Sequence, residues 1–368
     1  MTMTSQDGTA IAHFEIQRRG YLGPEGHLVG SLPDFALEPS ALVPLYRAMV
    51  LTRDFDAKAV ALQRTGRLGT YAVSLGQEAV SIGVASAMES TDVLIPGYRD
   101  TGALLWRGVT MEEILLYWGG DERGSNFAGP REDFPICVPV GSHAPHAAGV
   151  AYAFKLRRQP RVAVCIFGDG ATSKGDVWEA MNFSGVHRLP VVFIVNDNQW
   201  AISVPRRLQT AAATYAQKAI AAGIPGEQVD GNDVIAVRQA ATEAISRARN
   251  GGGASLIDAQ TYRLGDHTTA DDARRYRPDD EVKAHWKFEP IARLRTFLVS
   301  QRAWTKDDEE KLIEECQEKI EAAANRYLTA TPRLPEEMFN HLYATLPQVY
   351  QSQQQALMEA EDARGQSG

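Results

Sequence analysis

Two short runs carry the residues best suited to chemistry. Gly168-Asp169-Gly170 closes the apolar run "RVAVCIF", and Asn196-Asp197-Asn198 closes a second, "PVVFIVN". Carboxylate and amide oxygens are hard ligands that suit magnesium. That ion binds one or two protein oxygens together with phosphates and water. Gly168 and Gly170 let backbone N–H groups approach anionic oxygens closely. A helix beginning near Ser173 adds a positive N-terminus to the same place. The chemistry that follows is magnesium with a phosphate or diphosphate. A lone Gly-Asp-Gly is only a turn, but two such strand ends roughly thirty residues apart, with a helix between them, point to one shared site.

Such side chains need strands to hold them. From residue 147 the pattern alternates regularly. "AAGVAYAFKLRRQ" reads as helix, "RVAVCIF" as strand, "KGDVWEAMNFSGVHR" as helix and "PVVFIVN" as strand. A helix near residues 214–222, a strand closing at "QVDG", the capped helix "NDVIAVRQAATEAISRARNGG" and the strand "ASLIDAQTYR" continue it. This alternation predicts an α/β fold, a mostly parallel sheet with helices on both faces. Right-handed crossovers put every strand C-terminus on one edge, where open sheets bind ligands.

Upstream, a helical pattern runs from about residue 41 to Gly66 or Gly69. "GQEAVSIGVASAM" is a short helix, residues 92–96 a short strand, and "YRDTGALLWRG" enters another helix. Residues 119–146 have no period, as expected of a functional or mobile loop. After Arg263 a polar loop reaches Pro278. Three helical stretches follow, "DEVKAHWKFEPIARLRTFLVS", "TKDDEEKLIEECQEKIEAAANRYLTA" and "PEEMFNHLYATLPQVYQSQQQALMEAEDA", before a frayed "RGQSG". The expected organisation is an N-terminal arm over 1–40, a diphosphate-binding domain over 41–330, and a C-terminal helix and tail over 331–368.

Bulk properties narrow the classes. The chain has 368 residues, 44% hydrophobic, so it can bury a large core. Net charge is −8 with no basic block, which argues against a nucleic-acid partner. Three cysteines without a CxxC pair argue against a disulfide scaffold or zinc site. No signal-peptide run and no bilayer-length apolar run is present, so the expectation is a soluble cytoplasmic protein without membrane contact. His143 and His146 form an HxxH, but no carboxylate motif or third ligand lies nearby in sequence.

Gly-Asp-Gly followed at this distance by an asparagine pair resembles the thiamine diphosphate fingerprint. The longer stretch "GDGATSKGDVWEAMNFSGVHRLPVVFIVNDNQWAIS" is similar to the alpha subunits of the 2-oxo acid dehydrogenases, in their decarboxylating component. "GRLGTYAVSLGQEA", "IPGYRDTG", "VDGNDVIAV" and "GDHTTADDARRYR" extend the likeness over about residues 35–350. The resemblance implies the thiamine-diphosphate-binding fold, with magnesium held by Asp169, Asn198 and the Trp200 backbone carbonyl. It implies backbone contacts to the diphosphate from Gly170 and Ala171, and side-chain contacts from Tyr98 and Arg99, whose guanidinium fork suits phosphate. Val140 matches the apolar wedge that bends the cofactor, and Val138 a backbone contact to its aminopyrimidine. His267 matches an active-site histidine on a covering loop, and Arg263 a second anion contact. Asp197 departs from the family, which commonly has asparagine there. It either tunes the site or points away to cap a turn.

The resemblance further implies that the activating glutamate belongs to a separate beta subunit, so that this chain carries half a site. Glu78 is read as a helix support instead. The expected assembly is two alpha and two beta subunits, which pass an acyl group to the lipoyl domain of a dihydrolipoamide acyltransferase. Pyruvate is the expected 2-oxo acid substrate. A branched-chain 2-oxo acid dehydrogenase and an acetoin dehydrogenase are the alternatives, and a non-catalytic phosphate-binding module is the alternative of a different class. A nicotinamide dehydrogenase would need GxGxxG, whose glycine spacing "GDGATSKG" lacks.

Overall fold

The structure, a computed structural model, describes residues 11–365 except 332 and 341. Residues 1–10 of the expected arm and 366–368 of the expected tail lie outside the described residues. In chain order the elements are β1 (Arg18–Arg19), α1 (Val43–Arg64), α2 (Glu78–Ser86), β2 (Val93–Ile95), α3 (Thr101–Arg107), α4 (Met111–Trp118), α5 (His143–Leu156), β3 (Ala163–Gly168), α6 (Gly175–Val186) and β4 (Val191–Asp197). The hairpin β5 (Trp200–Ala201) and β6 (Val204–Pro205) follows. Then come α7 (Lys218–Ala221), β7 (Gly226–Asp230), α8 (Val234–Arg247), β8 (Ser255–Gln260), α9 (Asp279–Trp286), α10 (Pro290–Ser300), α11 (Lys306–Leu328) and α12 (Gln348–Gly365).

The main sheet has six strands in the order β1-β7-β8-β4-β3-β2, and every pairing in it is parallel. A parallel sheet is covered on both faces, so its strands read as continuous apolar runs. β4 is buried at all seven positions, which is why "VVFIV" shows no polar alternation. On one face, Val93, Cys165, Phe167, Phe193 and Val195 pack against Ala147, Ala151 and Phe154 of α5 and Val177 and Met181 of α6. α2 and α8 are packed together elsewhere in this unit, and their close approach depends on Gly83. A Cβ there would lie 2.7 Å from Val237 Cγ1.

Capping explains several boundaries. Asp233 accepts from Ile235 N and Ala236 N at the start of α8. Its other oxygen accepts from Tyr21 N and Leu22 N at 2.7 and 2.8 Å, and so ties down the arm. This anchor and the pairing of β1 with β7 give residues 18–22 an ordered place that their polar sequence did not predict. Glu289 and Pro290 divide what reads as one helix into α9 and α10: Glu289 caps α10, and Pro290 is its first residue. The expected long helix over 335–363 is a 3₁₀ turn, Pro335–Phe339, followed by α12, whose first residue comes after Pro347.

The chain divides into two compact units, Met1–Ala324 and Asn325–Gly368. The sheet lies wholly in the first. The second holds the last residues of α11, the 3₁₀ turn and α12. Among the described residues no helix is long and apolar enough to cross a membrane.

Candidate active site

Four adjacent strands in the sheet, β2, β3, β4 and β8, end beside one another. Tyr98 and Arg99 follow β2. Asp169 follows β3, Asn198 follows β4, and Arg263 and His267 follow β8. Parallel pairing of β3 with β4 sets Gly168 opposite Asn196, so the two motifs face one gap. That gap is a cavity of about 220 Å³ lined by Tyr98, Arg99, Val140, Asp169, Gly170, Ala171, Asn198, Trp200 and His267, among others. Pockets that enclose a whole drug-sized ligand run to roughly 300–1,000 Å³. This one is smaller.

Asp169 is 1% exposed, and burial pushes its carboxyl up to about 6. A bound cation would favour the ionised form. Asn198 is held by its amide. Nδ2 donates to Gln77 Oε1 at 2.9 Å, and Oδ1 accepts from Trp200 N at 3.2 Å. The chain then turns through Gln199 and Ile202, both with positive φ (72° and 54°), a conformation that non-glycine residues adopt at a cost of order 1–3 kcal/mol. That turn builds the β5–β6 hairpin and lays it on the Gly-Asp-Gly turn. A Cβ at Gly170 would lie 2.8 Å from Ala201 Cβ, so the approach requires glycine. The Trp200 carbonyl accepts from Arg263 Nη1 at 3.3 Å and keeps a second lone pair. One carboxylate, one amide oxygen and one carbonyl form a set suited to a hard divalent ion. Among the described residues no cluster of three His, Cys, Asp or Glu side chains offers another metal site. The buried Asn196 Oδ1, which has no hydrogen-bond partner and lines the same cavity, adds an acceptor. The donor set fits magnesium with a diphosphate.

Arg99 donates to the Val73 carbonyl at 2.5 Å and to the His267 carbonyl at 2.9 Å, and its guanidinium lies 5.3 Å from the Tyr98 ring centroid. Arg99 Nη2 and Arg263 Nη1 also face His267 Nδ1, at 3.2 and 3.4 Å. Guanidinium groups only donate, so Nδ1 accepts and the imidazole proton sits on Nε2. Burial, then the charges of Arg99 and Arg263, lowers the His267 pKa to about 4. The ring is therefore neutral near pH 7, with an N–H to offer. Its backbone N–H donates to Asp271 Oδ2 at 2.9 Å, which holds the loop.

Arg263 and Val138 are not among the residues that line the cavity. Arg263 is fully buried beside it. Its Nη2 donates to the Ile202 carbonyl (2.8 Å) and the Tyr276 hydroxyl (2.9 Å), so it braces the hairpin and the His267 loop. Val138 is about half exposed and outside the lining, whereas Val140 lines it.

Asp197 points away. Strand alternation puts Asn196 and Asn198 on the cavity side and Asp197 on the other. There Arg206 Nε lies 3.3 Å from Asp197 Oδ2. Burial, then the charges of Asp258 and Asp169, pushes its carboxyl up. Glu78 accepts from Arg53 at 2.8 Å and from Gly76 N at 3.0 Å, as fits a support of α2. His143 is buried in the cavity wall, donating Nε2 to the Ile166 carbonyl at 2.9 Å, while His146 is exposed, so the HxxH pair does not converge.

Sequence reasoning missed Gln77 and Asn196. Alternation along β4 carries the signal for Asn196. Nothing local marks Gln77, which lies 121 residues from the amide it holds.

A family model described as "Dehydrogenase E1 component" matches residues 46–334. The chain is 40% identical over 343 residues to the pyruvate dehydrogenase E1 component subunit alpha of Staphylococcus aureus, covering 92% of each chain. It is 37% identical over 331 residues to the protein of that name from Mycoplasma genitalium, covering 90% of this chain and 92% of that one. It is 42% identical over 320 residues to the 3-methyl-2-oxobutanoate dehydrogenase subunit alpha of Mycobacterium tuberculosis, covering 87% of each. By the extent of these matches, this chain belongs to the dehydrogenase E1 component family.

Proposed function

We propose that this chain is the alpha half of a 2-oxo acid dehydrogenase that decarboxylates pyruvate and passes the acetyl group to a lipoyl-bearing acyltransferase. The supporting observation is the meeting of Tyr98, Arg99, Asp169, Asn198 and His267 at four neighbouring strand ends around one cavity. Asp169, Asn198 and the Trp200 carbonyl would hold magnesium. Tyr98, Arg99 and the backbone at Gly170 and Ala171 would receive the diphosphate, with Val140 as the apolar wedge and the Val138 backbone beyond it. When bound, thiamine diphosphate supplies the electron sink for loss of carbon dioxide.

The protein's own part is to orient, to exclude water and to place one proton. His267 presents its Nε2 proton, and the arginines on Nδ1 keep that tautomer. Arg263 contributes as a brace. No glutamate lines the cavity among the described residues, which fits an activating acid supplied by a beta subunit. The arm and the C-terminal helices are candidate subunit contacts.

A second reading, a branched-chain 2-oxo acid substrate, is favoured by the 42% identity to the mycobacterial 3-methyl-2-oxobutanoate dehydrogenase subunit. Turnover of pyruvate and 3-methyl-2-oxobutanoate by the chain paired with its beta subunit separates the two. The pyruvate reading expects the higher kcat/KM on pyruvate, and a clear preference for the branched acid overturns it.

A further inference from the structure

The segment that follows Asn198 crosses the site and returns. It forms the β5–β6 hairpin, then a 3₁₀ turn over Arg206–Leu208, then Gln209. Gln209 Nε2 donates to Asp169 Oδ2 at 3.1 Å and to the Val204 carbonyl at 3.1 Å. Its Oε1 accepts from the Tyr215 hydroxyl at 3.5 Å. The amide has one sensible orientation: reversed, its oxygen would face a carboxylate and a carbonyl, two acceptors. Gln209 does not line the cavity, so it acts on the site through Asp169 and through the hairpin residue Val204.

The segment that carries it is anchored independently. Arg206 N donates to the Gln199 carbonyl at 2.9 Å, and Arg206 Nη2 to the Ala213 carbonyl at 2.8 Å. The Arg206 guanidinium lies 4.9 Å from the Tyr215 ring centroid. The Ala201 methyl closes on Gly170. The amide donor is thus fixed in space before any ion arrives.

We propose that Gln209 is a positioning residue for the divalent cation: its side-chain amide fixes the direction in which the Asp169 carboxylate faces. This rests on the reading of Asp169 as a cation ligand. A carboxylate on a short side chain can rotate about its last bond, and the Gln209 donor, beside the backbone N–H groups of Gly170 and Asp169, restricts that freedom. Groups that orient a metal ligand in this way typically contribute about 10–100-fold to metal affinity.

The test is Mn²⁺ binding to the chain in complex with its beta subunit, with thiamine diphosphate present, read by electron paramagnetic resonance. Gln209→Met keeps the length of the side chain and removes the donor. It is expected to weaken Mn²⁺ binding about 10–100-fold. In an Asp169→Ala background, which removes the accepting oxygen, Gln209→Met is expected to add no further loss. A purely structural role for the segment would lower affinity by the same factor in both backgrounds, and that result overturns the proposal. A change of less than about twofold from Gln209→Met, beside a large loss from Asp169→Ala, also overturns it while leaving the cation site standing. Undiminished binding by Asp169→Ala removes the cation assignment itself, and this inference with it. Gln209→Ala repeats the measurement with less bulk should the Met side chain disturb the fold.

Discussion

Gly170→Ala tests whether the Trp200 hairpin and the Asp169 turn form one rigid site. Gly170 has no positive φ, so alanine is compatible with its backbone, and any effect comes from the added methyl. That methyl would lie 2.8 Å from Ala201 Cβ, against about 3.5–4.0 Å for relaxed carbon contacts. The hairpin must retreat by about 1 Å, and it carries the Trp200 carbonyl with it. Overpacking of this kind costs about 1–3 kcal/mol. Taken up by the site, that is about a 5- to 150-fold loss of affinity for magnesium with thiamine diphosphate. The assay is calorimetric titration of the paired subunits with the cofactor at fixed magnesium. Ala201→Gly removes the opposing methyl and should restore most of the loss in the double variant. Unchanged affinity in Gly170→Ala, or no recovery in the double variant, would show that the hairpin and the turn are not rigidly joined.

The remaining expectations concern charge and anchoring. His267 should titrate near pH 4 by NMR, and Arg99→Gln should move that midpoint up toward the ordinary value near 6.5. The sign for stability follows: between about pH 6.5 and 4 the unfolded chain binds more protons, so this group's contribution is complete above 6.5 and is lost as pH falls toward 4. His267→Gln should flatten that part of the stability profile, and an unchanged profile would count against the assignment. Arg53→Ala leaves the buried Glu78 without its partner, with a destabilisation of about 3–5 kcal/mol expected in a denaturant melt. Asp233→Ala removes the α8 cap and the anchor of residues 21 and 22. A loss of about 1–2 kcal/mol should come with faster hydrogen exchange in the arm.

Much of the sheet is legible in the sequence because buried parallel strands are unbroken apolar runs. β3, β4 and β8 stand out for that reason, and the two motifs at the ends of β3 and β4 locate the cavity. β1 is two arginines, and its strand state comes from pairing with β7, which no local pattern records. The break between α9 and α10 was readable at Pro290 and was hidden by a helical period on both sides. In the site, residues acting through their own strand ends were legible. Gln77 and Gln209 were not, because each acquires its role when a distant segment closes on Asn198 or Asp169. Arg263 has a bracing role that its type and place do not announce, because Ile202 and Tyr276 reach it only in the folded chain. Strand alternation turns Asp197 from the cavity toward Arg206.

As proposed, this chain carries half of a catalytic site. Carbon dioxide release from pyruvate, with thiamine diphosphate and magnesium, should be measured for the chain alone and for the chain with its beta subunit. Turnover by the pair and none by the chain alone is the expected result. Decarboxylation at an undiminished rate by the isolated chain would contradict it.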